Sequence, residues 1–164
     1  PPPPPPRPPP PPPTPTRYGS SAATQVHKSQ AKDNGFETVI LLDADGNVTE
    51  GPGFNVFAVS GNRLITPDAG ALEGISRRTV IEMGQSHGMD VDIRPLPLAE
   101  FMEADEVFLS TSGGGVMPLT RVDERIFSNG AIGPVAAAMH ETYWLWIQDP
   151  AYRTEIEYDT KPSA

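Results

Sequence analysis

Three short polar segments carry residue types that could bind a small anionic ligand. Glu50 stands beside the bend Gly51-Pro52-Gly53 and offers one carboxylate between two predicted strands. Ser76 lies at a predicted helix start, where unpaired backbone N–H groups and the positive end of the helix favour an anion such as phosphate. Residues 110–115, with the sequence STSGGG, supply three hydroxyls and three glycines that can bring several N–H donors close to an anion.

Each segment also has an ordinary structural explanation. Glu50 could be a solvated glutamate of a hairpin, and Ser76 could be a plain N-cap before a basic first turn. Residues 110–115 could be a flexible surface loop. Any one of these signals alone is therefore weak, and their order along the chain carries more information.

Apolar runs and turn signals predict the elements that position these segments. Predicted strands cover residues 38–42, 47–50, 55–60, 63–66, 91–94, 106–110 and 116–120, and predicted helices cover 24–33, 76–87, 98–103 and 134–147. Strands and helices alternate without the even spacing of a doubly wound sheet. An α+β domain built on a mixed sheet is therefore expected.

The chain divides into a proline-rich head and one globular domain. Thirteen of the first sixteen residues are proline, which indicates a solvated polyproline II rod rather than a helix or an interior strand. We expect residues 1–25 to be a disordered head and linker, and residues 26–160 to form the domain. With 164 residues in all, the chain has room for one sizeable core but not for two.

Composition excludes several classes of partner. The net charge is −9 at pH 7, which disfavours binding to nucleic acid and to anionic membranes. The chain has no cysteine and no apolar run long enough to span a bilayer. The default expectation is a soluble protein of the cytoplasm.

Residues 48–57, with the sequence VTEGPGFNVF, resemble the pyridoxal-phosphate (PLP) aminotransferases of class IV, also called fold type IV. This family includes branched-chain, D-amino-acid and (R)-selective amine transaminases. The resemblance covers roughly residues 26–158 and implies the C-terminal domain of the D-amino-acid-aminotransferase-like fold. It further implies PLP as the cofactor, and transfer of an amino group between a branched-chain amino acid or amine and a 2-oxo acid.

The resemblance assigns roles to six cofactor-binding residues: Glu50, Leu72, Ile75, Ser76, Ser112 and Gly113. Glu50 would pair with the pyridine nitrogen, and Leu72 would lie against the ring, although it could equally be plain core. Ile75 and Ser76 would bind the phosphate, Ser76 standing where the family usually has threonine. Ser112 and the amide of Gly113 would contact the phosphate or the substrate.

The sequence departs from the family at the lysine that bonds covalently to the cofactor. Alignment on Glu50 places that lysine near Tyr18, where the chain has none. The three lysines present are Lys28 and Lys32, which fit a solvated helix face, and Lys161 near the chain end. We therefore leave the catalytic residue unassigned and predict that this chain alone is not competent. The three histidines lack metal-ligand spacing, so no metal site is predicted.

Other functions stay open at this point. The chain could be a fragment that lacks an N-terminal domain, or an inactive PLP-binding pseudoenzyme. It could also be a scaffold whose proline head binds SH3-, WW- or profilin-like grooves. Members of the family are usually homodimers, so exposed apolar surface is expected.

Overall fold

The computed structural model describes residues 35–154 in full and the backbone of residues 16–20. The strands are β1 Thr16–Ser20, β2 Val39–Ile40, β3 Asn47–Val48, β4 Glu50–Gly51, β5 Phe54–Ser60, β6 Arg63–Thr66, β7 Asp90–Ile93, β8 Leu96–Pro97, β9 Glu106–Thr111, β10 Gly115–Val122 and β11 Arg125–Ile126. The helices are α1 Ile75–Ser86, α2 Leu98–Glu103 and α3 Pro134–Gln148, with a 3-10 turn at Ser128–Gly130.

Nine of the strands in the described part of the chain form one mixed sheet. Its central order is β2-β1-β10-β9-β5-β6-β7, with β4 beside β5 and β11 beside β10, while β3 and β8 pair separately. The pairs β1–β10, β1–β2 and β6–β7 are parallel and the others are antiparallel. The predicted α+β class with a mixed sheet is confirmed.

Apolar side chains cover both faces of the sheet, because successive residues of a strand point to opposite sides. On one face, Val56 and Leu109 pack with Phe101 of α2. On the other face, Phe57 stacks on Phe108 with 5.3 Å between ring centroids, beneath α1 and α3. The second face positions the candidate site. Its side chains continue along β5 and β9 to the ends of these strands, which lie beside the start of α1.

The structure corrects the prediction for part of the head. Thr16–Ser20, which we expected in the disordered linker, forms β1 and pairs with β10 on one side and β2 on the other. The edge of β10 that faces away from β9 has backbone groups to satisfy, and a short extended segment satisfies them whatever its side chains are. The predicted helix over 24–33, with His27, Lys28 and Lys32, lies outside the described residues, as does Lys161. Across the described residues, no helix is both long enough and apolar enough to cross a membrane.

Helix α3 is capped by a side chain from a distant strand. Its N-cap residue, Gly133, makes no side-chain cap bond. Instead Glu106 of β9 is buried and accepts hydrogen bonds from the backbone N–H groups of Val135, at 3.0 Å, and Ala136, at 2.9 Å. A carboxylate at this position also suits the positive end of the helix. Glu106 therefore joins α3 to the middle of the sheet.

Four charged side chains form a network where β6 and β7 meet α2. Arg94 donates to both carboxylate oxygens of Glu100, with 2.9 Å from Nη1 to Oε2. Arg63 lies 3.9 Å from Glu100 and 3.7 Å from Asp92. The hydrogen bonds from Arg94 hold the pKa of Glu100 below its ordinary value of 4.5, and those same bonds raise the pKa of Arg94.

Replacing Glu100 by glutamine is expected to lower the free energy of unfolding at pH 7 by about 0.5–1 kcal/mol, since the pair is one-third exposed and partly screened. A carboxylate with a lowered folded pKa stabilises the fold above its unfolded pKa, and this contribution is lost as the pH falls through the folded value. The difference between the parent and Glu100→Gln should therefore shrink as the pH falls below 4.5. Denaturant unfolding at a series of pH values measures it. Glu73→Gln is the control, because Glu73 pairs with Arg78 through side chains that are 73% and 66% exposed, and it should change the free energy of unfolding little.

Candidate cofactor site

Three polar side chains lie in one row across adjacent strands. Glu50 of β4 is the register partner of Asn55 of β5, and Asn55 is the partner of Ser110 of β9. Directly paired residues point to the same face of a sheet. The row therefore continues the Phe57–Phe108 face to its end, replacing apolar side chains with a carboxylate, an amide and a hydroxyl.

The row fixes the segment that leads into α1. Glu50 Oε2 accepts the backbone N–H of Leu72 at 2.7 Å, and Asn55 Nδ2 donates to the carbonyl of Leu72 at 2.8 Å. The N–H of Gly74 donates to that same carbonyl at 2.8 Å. The backbone of Leu72 is thus held from both sides, while its side chain is 73% exposed. Leu72 stands over the row as a fixed apolar wall.

The first turn of α1 supplies hydrogen-bond donors. Its first intrahelical bond runs from Arg78 N–H to the carbonyl of Gly74, so the N–H groups of residues 75–77 have no partner of this kind. Ser76 is buried at this point, and a Cβ on Gly74 would lie 3.2 Å from Asn55 Oδ1. Arg77, buried and without an ion pair among the described residues, donates to Pro67 and adds positive charge to the same turn. This end of the site favours an anion.

The loop between β9 and β10 forms the remaining wall. Thr111 Oγ1 accepts the N–H of Gly114 at 2.9 Å, which closes the turn. Helix α3 braces the loop, because the Nδ1–H of buried His140 donates to the carbonyl of Val116 at 2.9 Å. The ring of Tyr143 packs so closely on Gly115 that a Cβ there would lie 2.7 Å from it. Gly115 has φ +64, a conformation that also favours glycine.

These elements enclose one cavity of about 150 Å³. The residues that line it are Glu50, Gly53, Phe54, Asn55, Leu72, Gly74, Ser76, Ser110 and Ser112. One carboxylate and both donor clusters therefore share a single space. Leu72 and Ser112 are exposed at its rim, so the cavity is open to solvent on that side.

The hydroxyl of Ser110 indicates that the cavity is built for a polar ligand. Ser110 is fully buried and lines the cavity, and its Oγ has no hydrogen-bond partner among the described residues. A buried hydroxyl without a partner costs free energy, which a ligand acceptor would recover. An anionic group beside Ser76 and Ser110, on a ring whose nitrogen faces Glu50, fits this set of donors and acceptors.

The structure brings together four of the six predicted site residues. Glu50, Leu72, Ser76 and Ser112 line the cavity. The side chain of Ile75 is 83% exposed and lines a different groove, so only its backbone N–H can serve this site. Gly113 is exposed in the β9–β10 turn and is not among the lining residues. The ligand contacts of all six residues stay predictions.

Sequence reasoning missed Asn55 as a site residue, and it included Ser110 in the candidate segment 110–115 without giving it a role of its own. A signal for both was present, because each lies two residues along its strand from a buried phenylalanine, Phe57 or Phe108. The period of two in a strand places such a polar residue on the same face as that phenylalanine. An amide or hydroxyl that follows an apolar row on a strand therefore indicates where the buried core ends and a ligand site can begin.

The chain belongs to the class IV aminotransferases. The family model described as "Amino-transferase class IV" matches residues 4–122. Members of this family use PLP. The match confirms the resemblance drawn from residues 48–57.

Particular relatives are branched-chain aminotransferases. The "Probable branched-chain-amino-acid aminotransferase" of Aquifex aeolicus (strain VF5) is 35% identical over 129 residues, which are 77% of this chain and 42% of that protein. The protein of the same name from Thermotoga maritima is 42% identical over 107 residues, 64% of this chain and 39% of that protein. The crystal structure of branched-chain amino acid aminotransferase from Thermobaculum terrenum in its PLP form superposes with a TM-score of 0.78 at 29% identity. The superposition covers 85% of this chain and 54% of the Thermobaculum terrenum chain.

The chain therefore spans about two fifths of the length of these curated relatives and about half of the solved chain. A partial span of this kind is consistent with a fragment.

Proposed function

We propose that this chain is the PLP-binding part of a class IV aminotransferase. The complete enzyme would transfer an amino group between a branched-chain amino acid or amine and a 2-oxo acid, in the cytoplasm and as a homodimer. The observation that carries the proposal is the cavity shared by Glu50, Ser76 and Ser110. Exposed apolar side chains, including Leu72, Ile126 and Leu145, support a partner domain or subunit.

The residues of this chain would bind and orient the cofactor. Bound PLP supplies an electron sink for the bond broken at the α-carbon of the substrate. The Glu50 carboxylate would hold the proton on the ring nitrogen, while its bond to Leu72 N–H fixes its own position. Ser76, Ser110 and the backbone N–H groups in the first turn of α1 would hold the phosphate. Leu72 would shield one ring face from water.

We also propose that this chain alone does not catalyse transamination. The position that the resemblance gives to the covalent lysine, near Tyr18, carries no lysine. Without that amine the reaction lacks both its nucleophile and its proton carrier. The chain would then bind PLP without forming a covalent bond to it, as a fragment or as a pseudoenzyme.

Titration with PLP followed by borohydride reduction tests this proposal. We expect a saturable change in PLP absorbance and no pyridoxyl group on any lysine by mass spectrometry. Stoichiometric labelling of Lys28 together with turnover of an amine donor would contradict the inactivity. No spectral change at millimolar PLP would contradict the binding and favour the scaffold function. Neither the fold nor the relatives otherwise support that scaffold function.

Replacing Glu50 by glutamine is expected to weaken PLP binding about fivefold, because the change removes the charge in a partly exposed position. The side-chain oxygen of glutamine can still accept the hydrogen bond from Leu72 N–H, so Leu72 should keep its position beside the cavity. Fluorescence titration of the two proteins measures the difference. Glu82→Gln, on α1 outside the cavity, is the matched control and should bind PLP like the parent. Equal affinity of Glu50→Gln and the parent would exclude Glu50 from the site.

A further inference from the structure

A second, larger groove lies between α1 and α3. Its volume is about 360 Å³, and none of its lining residues lines the cofactor cavity. Trp146 and Tyr152 stack in it with ring centroids 4.6 Å apart and planes within 11°. Tyr143, Ile75 and Ile147 add apolar side chains to its lining, and Arg78, Thr79 and Glu82 add polar ones. Ile75 and Tyr152 are more than half exposed, so this surface is uncovered in the described part of the chain.

Flat aromatic side chains beside aliphatic ones are the surface that polyproline II segments bind. A polyproline II helix is already extended and loses little conformational entropy on binding, so its rings can pack against aromatic planes at low cost. The groove therefore suits a proline-rich strand better than a helix or a charged ligand.

This chain contains a proline-rich segment shortly before β1. Twelve of its first thirteen residues are proline. β1 runs parallel to β10 with Thr16 opposite Leu119, so the N-terminal end of β1 lies toward the Gly115 end of β10. Leu119 and Gly115 are four strand residues apart, about 13 Å. At Gly115 the chain meets Tyr143, whose ring borders the groove.

The head is long enough to fill the groove, and its charge is suitable. Fifteen residues of polyproline II span about 46 Å, well beyond the distance from β1 to the groove. Arg7 is the basic residue in the middle of the proline tract. Glu82 lines the groove and forms no ion pair within residues 35–154, whereas Arg78 beside it is paired with Glu73. Arg7 can therefore pair with Glu82.

We propose that residues 1–13 dock as a polyproline II rod in the groove between α1 and α3 of the same chain. The short tether raises the local concentration of the head to the millimolar range, so even weak binding would keep the groove occupied. Docking covers Ile75 and Tyr152, which are otherwise exposed apolar surface. It is independent of the cofactor cavity, and its test does not depend on PLP.

Paramagnetic broadening in the full-length chain tests the docking. The chain has no cysteine, so Pro10→Cys places a single nitroxide label on the head. We expect selective loss of the Trp146 and Tyr152 signals, while signals of α2 on the opposite face of the sheet persist. No broadening at Trp146 overturns the proposal. Broadening that disappears on dilution with unlabelled protein also overturns it, because a second copy would then be the donor.

Two substitutions separate docking from mere proximity. Tyr152→Ala and Arg7→Glu should each reduce the docked population about tenfold, by loss of the aromatic anchor or by charge reversal against Glu82. Leu145→Ala is the control, since Leu145 is 59% exposed on α3 but does not line the groove. Equal broadening in all three variants would mean that the head only passes nearby. Loss of the Trp146 shift after removal of residues 155–164, but not of 1–13, would assign the groove to the C-terminal tail instead.

Discussion

Ser110→Ala is expected to stabilise the protein without ligand and to weaken PLP binding by roughly 10- to 100-fold. The parent buries the Ser110 hydroxyl completely, and no group in the described part of the chain forms a hydrogen bond with it. Removing an unpaired buried hydroxyl should raise the free energy of unfolding by about 1 kcal/mol. The same hydroxyl, paired with a phosphate oxygen in the complex, would contribute about 1.5–3 kcal/mol to binding.

The opposite signs of the two effects make this prediction specific. Thermal unfolding without ligand and fluorescence titration with PLP measure them separately. Ser86→Ala is the matched control, because the Ser86 hydroxyl already donates to the carbonyl of Met83 at 2.8 Å near the far end of α1. It should lose a little stability and bind PLP unchanged. If Ser110→Ala destabilises the apo protein and binds PLP like the parent, Ser110 is a structural residue and not part of the site.

The order of strands and helices could be predicted because local signals decide it. Pro97 before Leu98 and Gly88 after the apolar pattern of α1 mark helix ends, and both helices occur within about one residue of the expected bounds. Val80 and Met83 are buried as the spacing of three indicates. Such features depend on the nearest few residues, which the sequence states directly.

The packing of the site could be predicted only in part, because it depends on contacts between distant residues. The resemblance placed Glu50 and Ser76 near one ligand, and they share a cavity. No local pattern indicates that Glu50 holds Leu72 by its N–H, 22 residues later. The pairing of Thr16–Ser20 with β10 is also non-local, and a proline-rich neighbourhood hides it. For Ile75, the sequence did not show that the side chain and the backbone face different grooves.

Glu106→Ala is expected to lower the free energy of unfolding by about 3 kcal/mol. Glu106 is buried and accepts two backbone hydrogen bonds that no local side chain at the start of α3 replaces. Hydrogen bonds to a charged acceptor contribute about 1.5–3 kcal/mol, and the change leaves both N–H groups unpaired in a buried place. Denaturant unfolding measures the loss. Glu124→Ala, on a side chain that is 95% exposed, is the matched control and should change stability by less than about 0.5 kcal/mol.

Gly133 provides an independent check on the same contact. A Cβ at Gly133 would lie 2.1 Å from the Glu106 carboxyl carbon, so Gly133→Ala must displace the carboxylate from the helix start. In the parent, Gly133→Ala should therefore lower the free energy of unfolding nearly as much as Glu106→Ala does. In the Glu106→Ala background, Gly133→Ala should lower it little, because the carboxylate that the new Cβ would clash with is gone. Additive losses in the double variant would show that Glu106 does not cap α3. Helix α3 braces the β9–β10 loop through His140 and Tyr143. Loss of the Glu106 cap should therefore also weaken PLP binding, although Glu106 does not line the cavity.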